Sequence, residues 1–310
     1  MRMLPRYVRE GGTPPLVAEP ARFRWRTVSV ATGVGDLTAR VSRRTGPVAT
    51  VLLHGAAGTW TTWTPLAEYA EGSGRALTDV VAVDLPGWGD SAPLEESTTV
   101  ADVSRAVAEV VVALGYERAI VVGHSLGALV SLDVAAREPD TTLGAVLVSP
   151  TGAAALDASR RPLRGGMRLP GFAGMRATMR VLAALGPAGG AVVGAVASAG
   201  LLPALARPLF AARVDPTVVA AFRSEIRPAT FARGARAAAV YDEDAWRAIR
   251  CRVVSVRGPA DVFASPGDDA AFAARIPRFT VHPVTGAAHF AHVERPDAVL
   301  DAIAEVRDGA

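Results

Sequence analysis

A serine set between two glycines is the residue of this chain best suited to covalent catalysis. The pentapeptide GHSLG occupies positions 123–127, directly after the apolar run Ala119–Val122. A sharp turn from strand to helix exposes the side chain at its centre and leaves no room for side chains at Gly123 and Gly127. The N-terminus of the following helix favours developing negative charge. The pattern therefore predicts Ser125 as a nucleophile.

A serine hydroxyl is a poor nucleophile without a base, and five histidines could supply one. His54 ends a predicted strand, His124 lies within the serine turn, and His282 lies within another predicted strand. His289 follows the loop after that last strand, where open α/β sheets place ligands and chemistry. We therefore predict His289 as the base, with His292 in the last helix as its competitor.

The base needs an acid that holds its tautomer and stabilises the imidazolium. Asp261 stands just beyond the predicted strand Val253–Val256 and is the predicted acid. Asp268 and Asp269 lie where a helix is predicted to begin, and N-capping is the ordinary role of aspartate there. Asp84 opens the turn-rich loop DLPGWGDS, for which we favour a bracing role.

Acyl transfer also requires hydrogen-bond donors for a developing oxyanion. The backbone N–H of Leu126, directly after the nucleophile, supplies one donor. The second is expected from Ala56, in the glycine-rich segment HGAAG that begins with His54 and Gly55 after the first parallel strand. Loss of one such donor typically lowers the rate by about 10²–10³.

These side chains require a sheet whose strands end at one edge. Short, continuous apolar runs alternate with helical patterns along the chain, and such runs indicate strands that are covered on both faces. The runs lie at 48–53, 80–83, 119–122, 145–148 and 253–256, and helical patterns lie at 98–114 and 126–137. Two earlier runs, 23–31 and 36–42, predict an antiparallel hairpin. The predicted fold class is α/β, with a mostly parallel, doubly wound sheet.

This alternation stops at about Thr151 and resumes near Asp242. The gap is too long for a loop, so we predict an inserted helical cap, or lid. It includes the 26 uncharged residues Val181–Ala206, which could span a bilayer by length. Glycines and prolines interrupt this stretch, so a cap that faces a pocket is the favoured interpretation. The expected organisation is an N-terminal extension (1–22), an α/β core (23–150 and 237–310) and the cap (151–236).

Composition excludes several classes of protein. Half of the 310 residues are hydrophobic and a fifth are charged, so the chain is not intrinsically disordered. A single cysteine, Cys251, excludes an intramolecular disulfide framework and a cysteine-based zinc site. The first twenty residues hold no apolar stretch of the length that a secretory signal requires, and a cytoplasmic location is expected.

The net charge of +3 hides a basic segment. Residues 160–236 carry twelve arginines against Asp215 and Glu225, and 12 minus 2 gives a net charge of +10. Charge complementarity with the acidic remainder of the chain is the favoured explanation. Contact with a membrane surface of anionic lipid, or with an anionic substrate, is the less favoured one. No fold motif and no basic run interleaved with aromatic residues points to nucleic acid.

The order of these motifs resembles that of the α/β-hydrolase fold superfamily, in the branch with a helical cap. The resemblance covers about residues 23–150 and 240–305, and the chain order Ser, Asp, His agrees with this fold and with neither chymotrypsin nor subtilisin. It implies that His289 is the catalytic histidine. The segments that carry it are HG (54–55), DLPGWGDS (84–91), GHSLG (123–127), GPAD (258–261) and HFAHVERP (289–296).

With this resemblance we expect a serine hydrolase that cleaves a small to medium carboxylic ester through an acyl-enzyme intermediate, and the uncharged, alanine-rich lid favours an apolar ester. Such an enzyme acts on a small molecule and needs no metal or organic cofactor. Haloalkane dehalogenases and epoxide hydrolases of this fold use aspartate at the elbow, so Ser125 disfavours both. A C–C bond hydrolase and a perhydrolase use the same triad and stay open as alternatives. A ligand-binding protein that keeps the fold without useful turnover is the non-enzymatic alternative.

Overall fold

Eight strands form one sheet in the computed structural model, which describes residues 12–309. Their order across the sheet is β1-β2-β4-β3-β5-β6-β7-β8. The first two strands form an antiparallel hairpin, and the last six are parallel to one another. The predicted mostly parallel α/β sheet is therefore confirmed. The strands are β1 (Arg26–Thr32), β2 (Gly35–Val41), β3 (Val48–Leu53), β4 (Val80–Val83), β5 (Arg118–His124), β6 (Thr142–Val148), β7 (Arg252–Arg257) and β8 (Phe279–Pro283).

The position of β3 between β4 and β5 determines where a site can form. The chain crosses β3 on its way from β4 to β5, so the strand order reverses there. Open α/β sheets bind ligands at the carboxyl ends of strands beside such a reversal. The segment with Ala56 follows β3, the Ser125 turn follows β5, and the last pair between the two strands is Leu53 with Gly123.

Helices cover both faces of the sheet, as its continuous apolar strands require. Along β3, Val51 and Leu53 belong to one core cluster and Leu52 to the other, and all three are fully buried. Three helices cover this part of the sheet: α1 (Thr64–Gly72), α2 (Val100–Ala113) and α3 (Leu126–Arg137). A capping box between Thr99 and Asp102 fixes the beginning of α2.

A helical insert, residues 153–239, lies between β6 and β7. Proline stands at the first position of five of its helices, where the missing N–H costs nothing and φ is preset. The last insert helix ends at Ala239, three residues beyond the predicted end of the segment. The helices are α4 (Ala153–Arg160), α5 (Pro162–Arg168), α6 (Pro170–Ala184), α7 (Pro187–Ser198), α8 (Leu202–Ala206), α9 (Pro216–Glu225) and α10 (Pro228–Ala239).

Three further helices complete the C-terminal part of the chain. After β7 come α11 (Pro266–Ala273), then α12 (Ala291–Glu294) and α13 (Pro296–Asp308). The apolar side of α13 packs into the same core cluster as Leu66 of α1. This arrangement places the segment between β8 and α12, which holds His289, at the edge of the sheet where β3 and β5 end.

The uncharged stretch Val181–Ala206 is divided among three helices rather than forming one. Over residues 12–309, no single helix has the length and apolar character needed to cross a bilayer. Pro187–Ser198 and Leu202–Leu209 reach that length and composition only as a pair, and they are bent by 101°.

Part of the predicted N-terminal extension, residues 1–11, lies outside the described residues. The part that is described joins the insert to the core. The Leu16 N–H donates to Thr217 Oγ1 on α9 (2.8 Å), and the Val17 N–H donates to Thr64 Oγ1 on α1 (2.8 Å). A short 3-10 helix, Pro20–Phe23, then leads into β1.

Candidate active site

Ser125 occupies a strained turn between β5 and α3. Its backbone adopts φ +52° and ψ −114°, a left-handed conformation that non-glycine residues adopt at a cost of about 1–3 kcal/mol. A Cβ at Gly123 would overlap the Gly127 carbonyl, and a Cβ at Gly127 would overlap the Leu53 carbonyl. The two glycines are therefore required by the close passage of β3, β5 and α3.

His289 and Asp261 form a buried pair in the structure. The imidazole Nδ1 lies 3.0 Å from Asp261 Oδ1 and 3.1 Å from Oδ2, and both residues are buried. Burial opposes the charge on Asp261, but the neighbouring imidazole and the Phe263 N–H outweigh it and lower the pKa of this carboxyl. An ionised Asp261 keeps the His289 proton on Nδ1, which leaves Nε2 free to accept another proton.

Ser125 and His289 line the same small cavity of about 70 Å³. Within residues 12–309, no hydrogen bond of 3.5 Å or less joins the Ser125 hydroxyl to the imidazole. Catalytic hydrogen bonds of this kind often shorten only when substrate is bound. The remaining walls of this small cavity are mostly apolar and include Phe172, Met175, Leu209, Phe231 and Phe263.

The two residues predicted to supply oxyanion donors lie at this cavity. Ala56 and Leu126 both line it, and neither backbone N–H donates a hydrogen bond to any group of the described chain. The segment that carries Ala56 approaches the serine very closely. A Cβ at Gly55 would lie 2.8 Å from His124 Nδ1 and 3.1 Å from Ser125 Cβ.

Buried polar side chains hold the Ala56 segment in place. His54 Nε2 accepts from the Leu85 N–H (2.9 Å), so its Nδ1–H donates to the Gly55 carbonyl (2.8 Å). Burial lowers the pKa of His54 to about 4, which keeps this imidazole neutral. The Trp88 indole N–H donates to the Ala56 carbonyl (3.2 Å) and fixes the orientation of that peptide.

The other candidate acids and bases have structural partners elsewhere. His292 is fully buried against Trp63, lies within 3.3 Å of Thr62 Oγ1, and has a pKa lowered to about 3 by burial. It is not among the residues that line the cavity. Asp84 accepts from the Trp60 N–H and from Arg40, and so braces the loop that begins with it.

His282 pairs with Glu305 at the surface. Asp268 accepts from the Ser265 N–H at the start of α11, in a capping box, and Asp269 pairs with Arg257. The helix-terminal role expected of this segment is the one observed, with Ser265 rather than an aspartate at the N-cap. None of these side chains contacts His289.

Sequence reasoning missed three side chains that hold the candidate site. Ser149 follows β6 with φ +46°, and its hydroxyl donates to the Ala288 carbonyl (3.3 Å). Phe263 sets its ring edge-to-face with His289, 4.7 Å between ring centroids. Glu294 accepts from the Ala288 N–H (2.8 Å) on the loop that carries His289. The Ser-Pro pair directly after a strand was the available signal for Ser149.

A larger cavity of about 500 Å³ adjoins the small one. Insert helices α6 to α9 form most of its wall, and the wall is almost entirely apolar. It shares six lining residues with the small cavity, so the two are neighbours across a common boundary. The shared residues are Ala56, Ala57, Met175, Leu209, Phe231 and Phe263. Among the described residues, no group of three or more His, Cys, Asp or Glu side chains is arranged to hold a metal ion.

Known structures share this fold over nearly their whole length. Carboxylesterase CesB from Bacillus subtilis superposes with a TM-score of 0.68 at 16% identity, covering 95% of this chain and 100% of its own. E-2-(acetamidomethylene)succinate hydrolase gives 0.67 at 23% identity, with 92% and 99% covered. A putative epoxide hydrolase mutant from Pseudomonas aeruginosa gives 0.69 at 22% identity, with 96% and 100% covered. Identities this low establish the shared fold alone.

Curated relatives match shorter stretches. The acetyltransferase component of the acetoin cleaving system of Cupriavidus necator is 40% identical over 124 residues, which is 38% of this chain and 31% of that protein. The biotin biosynthesis bifunctional protein BioHC of Cellvibrio japonicus is 34% identical over 96 residues, 31% and 17% of the two chains. The match thus spans less than a third of either relative. The model of the alpha/beta hydrolase family matches residues 50–302, most of the chain. The fold, the strand order and this match agree, and the chain belongs to the alpha/beta hydrolase family.

Proposed function

We propose that this protein is a serine hydrolase of carboxylic esters. The observation that carries the proposal is that Ser125, the His289–Asp261 pair and two uncommitted N–H groups meet at one apolar cavity. A nucleophile, a base with an orienting acid, and an oxyanion site are the groups that acyl transfer requires.

The reaction follows from the positions of these groups. The Ser125 hydroxyl attacks the acyl carbon as its proton passes to His289 Nε2, and Asp261 stabilises the imidazolium that forms. The N–H groups of Ala56 and Leu126 donate to the tetrahedral oxyanion. Collapse expels the alcohol, which takes the proton from His289. Water, activated by the same imidazole, then attacks the acyl-enzyme and releases the acid and Ser125.

The helical insert acts in this proposal as a cap that selects apolar substrates. Its helices supply Phe172, Met175 and Phe231 to the walls around Ser125. An ester with a charged acyl group would lose its hydration there without gaining a charged partner, which is costly. The apolar cavity of about 500 Å³ is of the size that holds small-molecule ligands and offers room for the acyl chain.

The decisive experiment pairs ester turnover with covalent labelling. Ser125→Ala is expected to lower kcat on p-nitrophenyl esters by about 10⁴-fold or more, with an unchanged circular dichroism spectrum. The matched control is Ser224→Ala, an exposed serine on α9, which is expected to keep full activity. A fluorophosphonate should label the wild type and the control but not Ser125→Ala.

Each contrary result points to a different alternative. Undiminished turnover in Ser125→Ala refutes the assignment of the nucleophile. A wild type that neither turns over esters nor labels is a binding protein on this fold. Labelling without ester turnover favours the C–C hydrolase or perhydrolase alternatives, and a vinylogous diketone and a peroxide assay then separate these two.

A further inference from the structure

The helical insert exposes most of the large apolar side chains at the protein surface. Of the nine large hydrophobic residues exposed in the described chain, seven lie between positions 163 and 205. Leu163 and Met167 stand one turn apart on α5 and are 88% and 80% exposed. The other five are Val181, Leu185, Val192, Leu201 and Leu205. Single exposed apolar residues are normal, whereas their concentration in one segment suggests an interaction surface.

The helix α6 shows how little of this region is packed. It has fifteen residues and none of them is buried. Phe172, Met175 and Met179 line the two cavities, at helical spacing. Arg176 and Arg180 lie about a quarter turn further round, one turn apart on the helix. Helix α6 thus faces an apolar cavity on one side and carries the positive charges of Arg176 and Arg180 on another.

The larger cavity reaches the surface among these exposed residues. Val192 on α7 and Leu205 on α8 both line it, yet they are 43% and 66% exposed. Their side chains therefore form an outer lip rather than a sealed wall. The apolar surface of the insert continues through this lip into the cavity that adjoins Ser125.

The charge of the region is of one sign. Between Asp157 and Asp215 the chain carries eight arginines and no acidic residue. Arg160 and Arg161 pair with Glu243 and Asp157. The arginines without a carboxylate of residues 12–309 within 4.0 Å are Arg164, Arg168, Arg176, Arg180, Arg207 and Arg213. Charge complementarity with the core, the favoured explanation from sequence, therefore accounts for only part of the positive charge.

We propose that this face of the insert, α5 to α8 with its unpaired arginines, docks on an anionic lipid bilayer. Apolar side chains enter the boundary between headgroups and acyl chains, as in interfacial helices, while the arginines contact anionic headgroups. The cavity lip at Val192 and Leu205 then lies at the membrane, from which an apolar ester could pass toward Ser125. The docking itself does not depend on the reaction.

Two other occupants fit this surface less well. A second copy of the chain in a two-fold dimer would place the same surface against itself, so arginines would face arginines with no acidic residue between them. Burial and, to a lesser extent, the neighbouring Arg180 lower the pKa of Arg176, so further arginines from a second copy would add to an unfavourable interaction. An acidic protein would pair with the arginines, but seven exposed apolar side chains spread over residues 163–205 favour a fluid lipid surface over one folded partner.

The test is vesicle flotation with the catalytically inactive Ser125→Ala protein, so that lipid turnover cannot disturb it. We expect binding to phosphatidylcholine vesicles that contain phosphatidylglycerol and none to phosphatidylcholine alone. Raising the salt from about 0.1 M to about 1 M shortens the Debye length from about 10 Å to about 3 Å and should release most of the protein.

Two sets of variants identify the surface. Arg164→Gln, Arg168→Gln and Arg180→Gln together should weaken binding by about a hundredfold, or about fivefold for each arginine. The matched control changes Arg26, Arg43 and Arg118, which are exposed on the core, to glutamine and should bind normally.

The double variant Leu163→Ser with Met167→Ser should weaken binding at least about tenfold. In the wild type, each of these apolar side chains would be buried in the bilayer. The control variant Val112→Ser with Val240→Ser changes two side chains outside α5 to α8 that are 71% and 72% exposed, and it should bind normally. None of these positions lines the cavities at Ser125, so turnover of a soluble ester should stay at the wild-type rate.

Several results would overturn the docking proposal. One is that the protein does not float with anionic vesicles, or floats equally well with neutral ones. Another is that the variants and their controls lose binding to the same extent. A third is that the protein is a dimer in solution and that Leu163→Ser with Met167→Ser dissociates it. A failure of ester turnover would instead refute the proposed reaction and leave the vesicle result standing, because flotation is measured without catalysis.

Discussion

Gly55→Ala gives the sharpest test of the oxyanion site. The added Cβ would lie 2.8 Å from His124 Nδ1, closer than such atoms approach, and 3.1 Å from Ser125 Cβ, which is tighter than an ordinary van der Waals contact. His124 is held by a contact of 2.9 Å between its Nε2 and the His289 carbonyl, and Ser125 is fixed by its turn. The Gly55 segment must therefore move away from the serine, and it takes the Ala56 N–H with it.

Gly55→Ala is expected to lower both the stability of the fold and the catalytic rate. Overpacking of one methyl group in a tight interior costs about 1–3 kcal/mol of folding free energy, so the protein should still fold, with a lowered Tm. Displacing one oxyanion donor should lower kcat by about 10²–10³ with a much smaller change in KM, because the donor acts mainly in the transition state. The assay is p-nitrophenyl ester hydrolysis, with thermal unfolding followed in parallel.

Gly58→Ala is the matched control within the same segment. Its Cβ would lie 3.3 Å from Thr62 Cβ and would not approach the serine. We expect kcat within about fivefold of the wild type. If Gly55→Ala kept the kcat of this control while losing comparable stability, the Ala56 N–H would not be an oxyanion donor and the reasoning would be refuted.

Three further predictions concern the surroundings of the site. Trp88→Phe removes the hydrogen bond to the Ala56 carbonyl and should lower kcat about five- to tenfold, whereas an unchanged kcat would show that the peptide is held without it. Met179→Trp fills the larger cavity away from Ser125 and should shift the preference in a series of p-nitrophenyl esters toward short acyl chains; an unaltered preference would place the acyl chain elsewhere. Burial raises the pKa of Glu225 to about 7, although Thr61 and Thr59 donate to it. The folded state therefore holds this proton more tightly than the unfolded state, and stability should fall as the pH rises from about 4.5 to about 7. Glu225→Gln should raise the Tm at pH 8 through a gain of up to about 3 kcal/mol and have little effect near pH 4, and equal effects at the two pH values would contradict this origin.

The sheet could be predicted because its signals are local. Val48–Leu53 and Ala119–Val122 are apolar without alternation, and burial on both faces is the only arrangement that suits such strands. Gly123 is equally local, since the overlap that excludes a side chain there comes from Gly127 at the other end of the same turn. Contacts within one short turn can therefore be predicted from the types of residue at its two ends.

Contacts between distant segments cannot be predicted in this way from residue type and spacing. Asp261 could be favoured from its place after β7, but Asp268 and Asp269 had to be weighed against it until the 3.0 Å contact with His289 was seen. Trp88 stands 32 residues from Ala56 and Glu225 stands 166 residues from Thr59. Hydrogen bonds over such separations depend on how the loops are packed, which spacing along the chain does not encode.

The insert is joined to the site through hydrogen bonds as well as through the cavity walls. The His289 N–H donates to the Leu209 carbonyl (3.1 Å), and Glu294 accepts from the Ala211 and Ala212 N–H groups as well as from Ala288. Arg227 donates to the Gly87 and Gly89 carbonyls, in the loop that supplies Trp88 to the Ala56 peptide.

Any movement of the insert that admits a bulky ester must therefore be transmitted to the histidine loop, to the Ala56 segment, or to both. In the proposed reaction, substrate selection and the chemical step are therefore expected to be coupled. A substitution that loosens the insert, even one remote from Ser125, should consequently change kcat together with KM rather than KM alone.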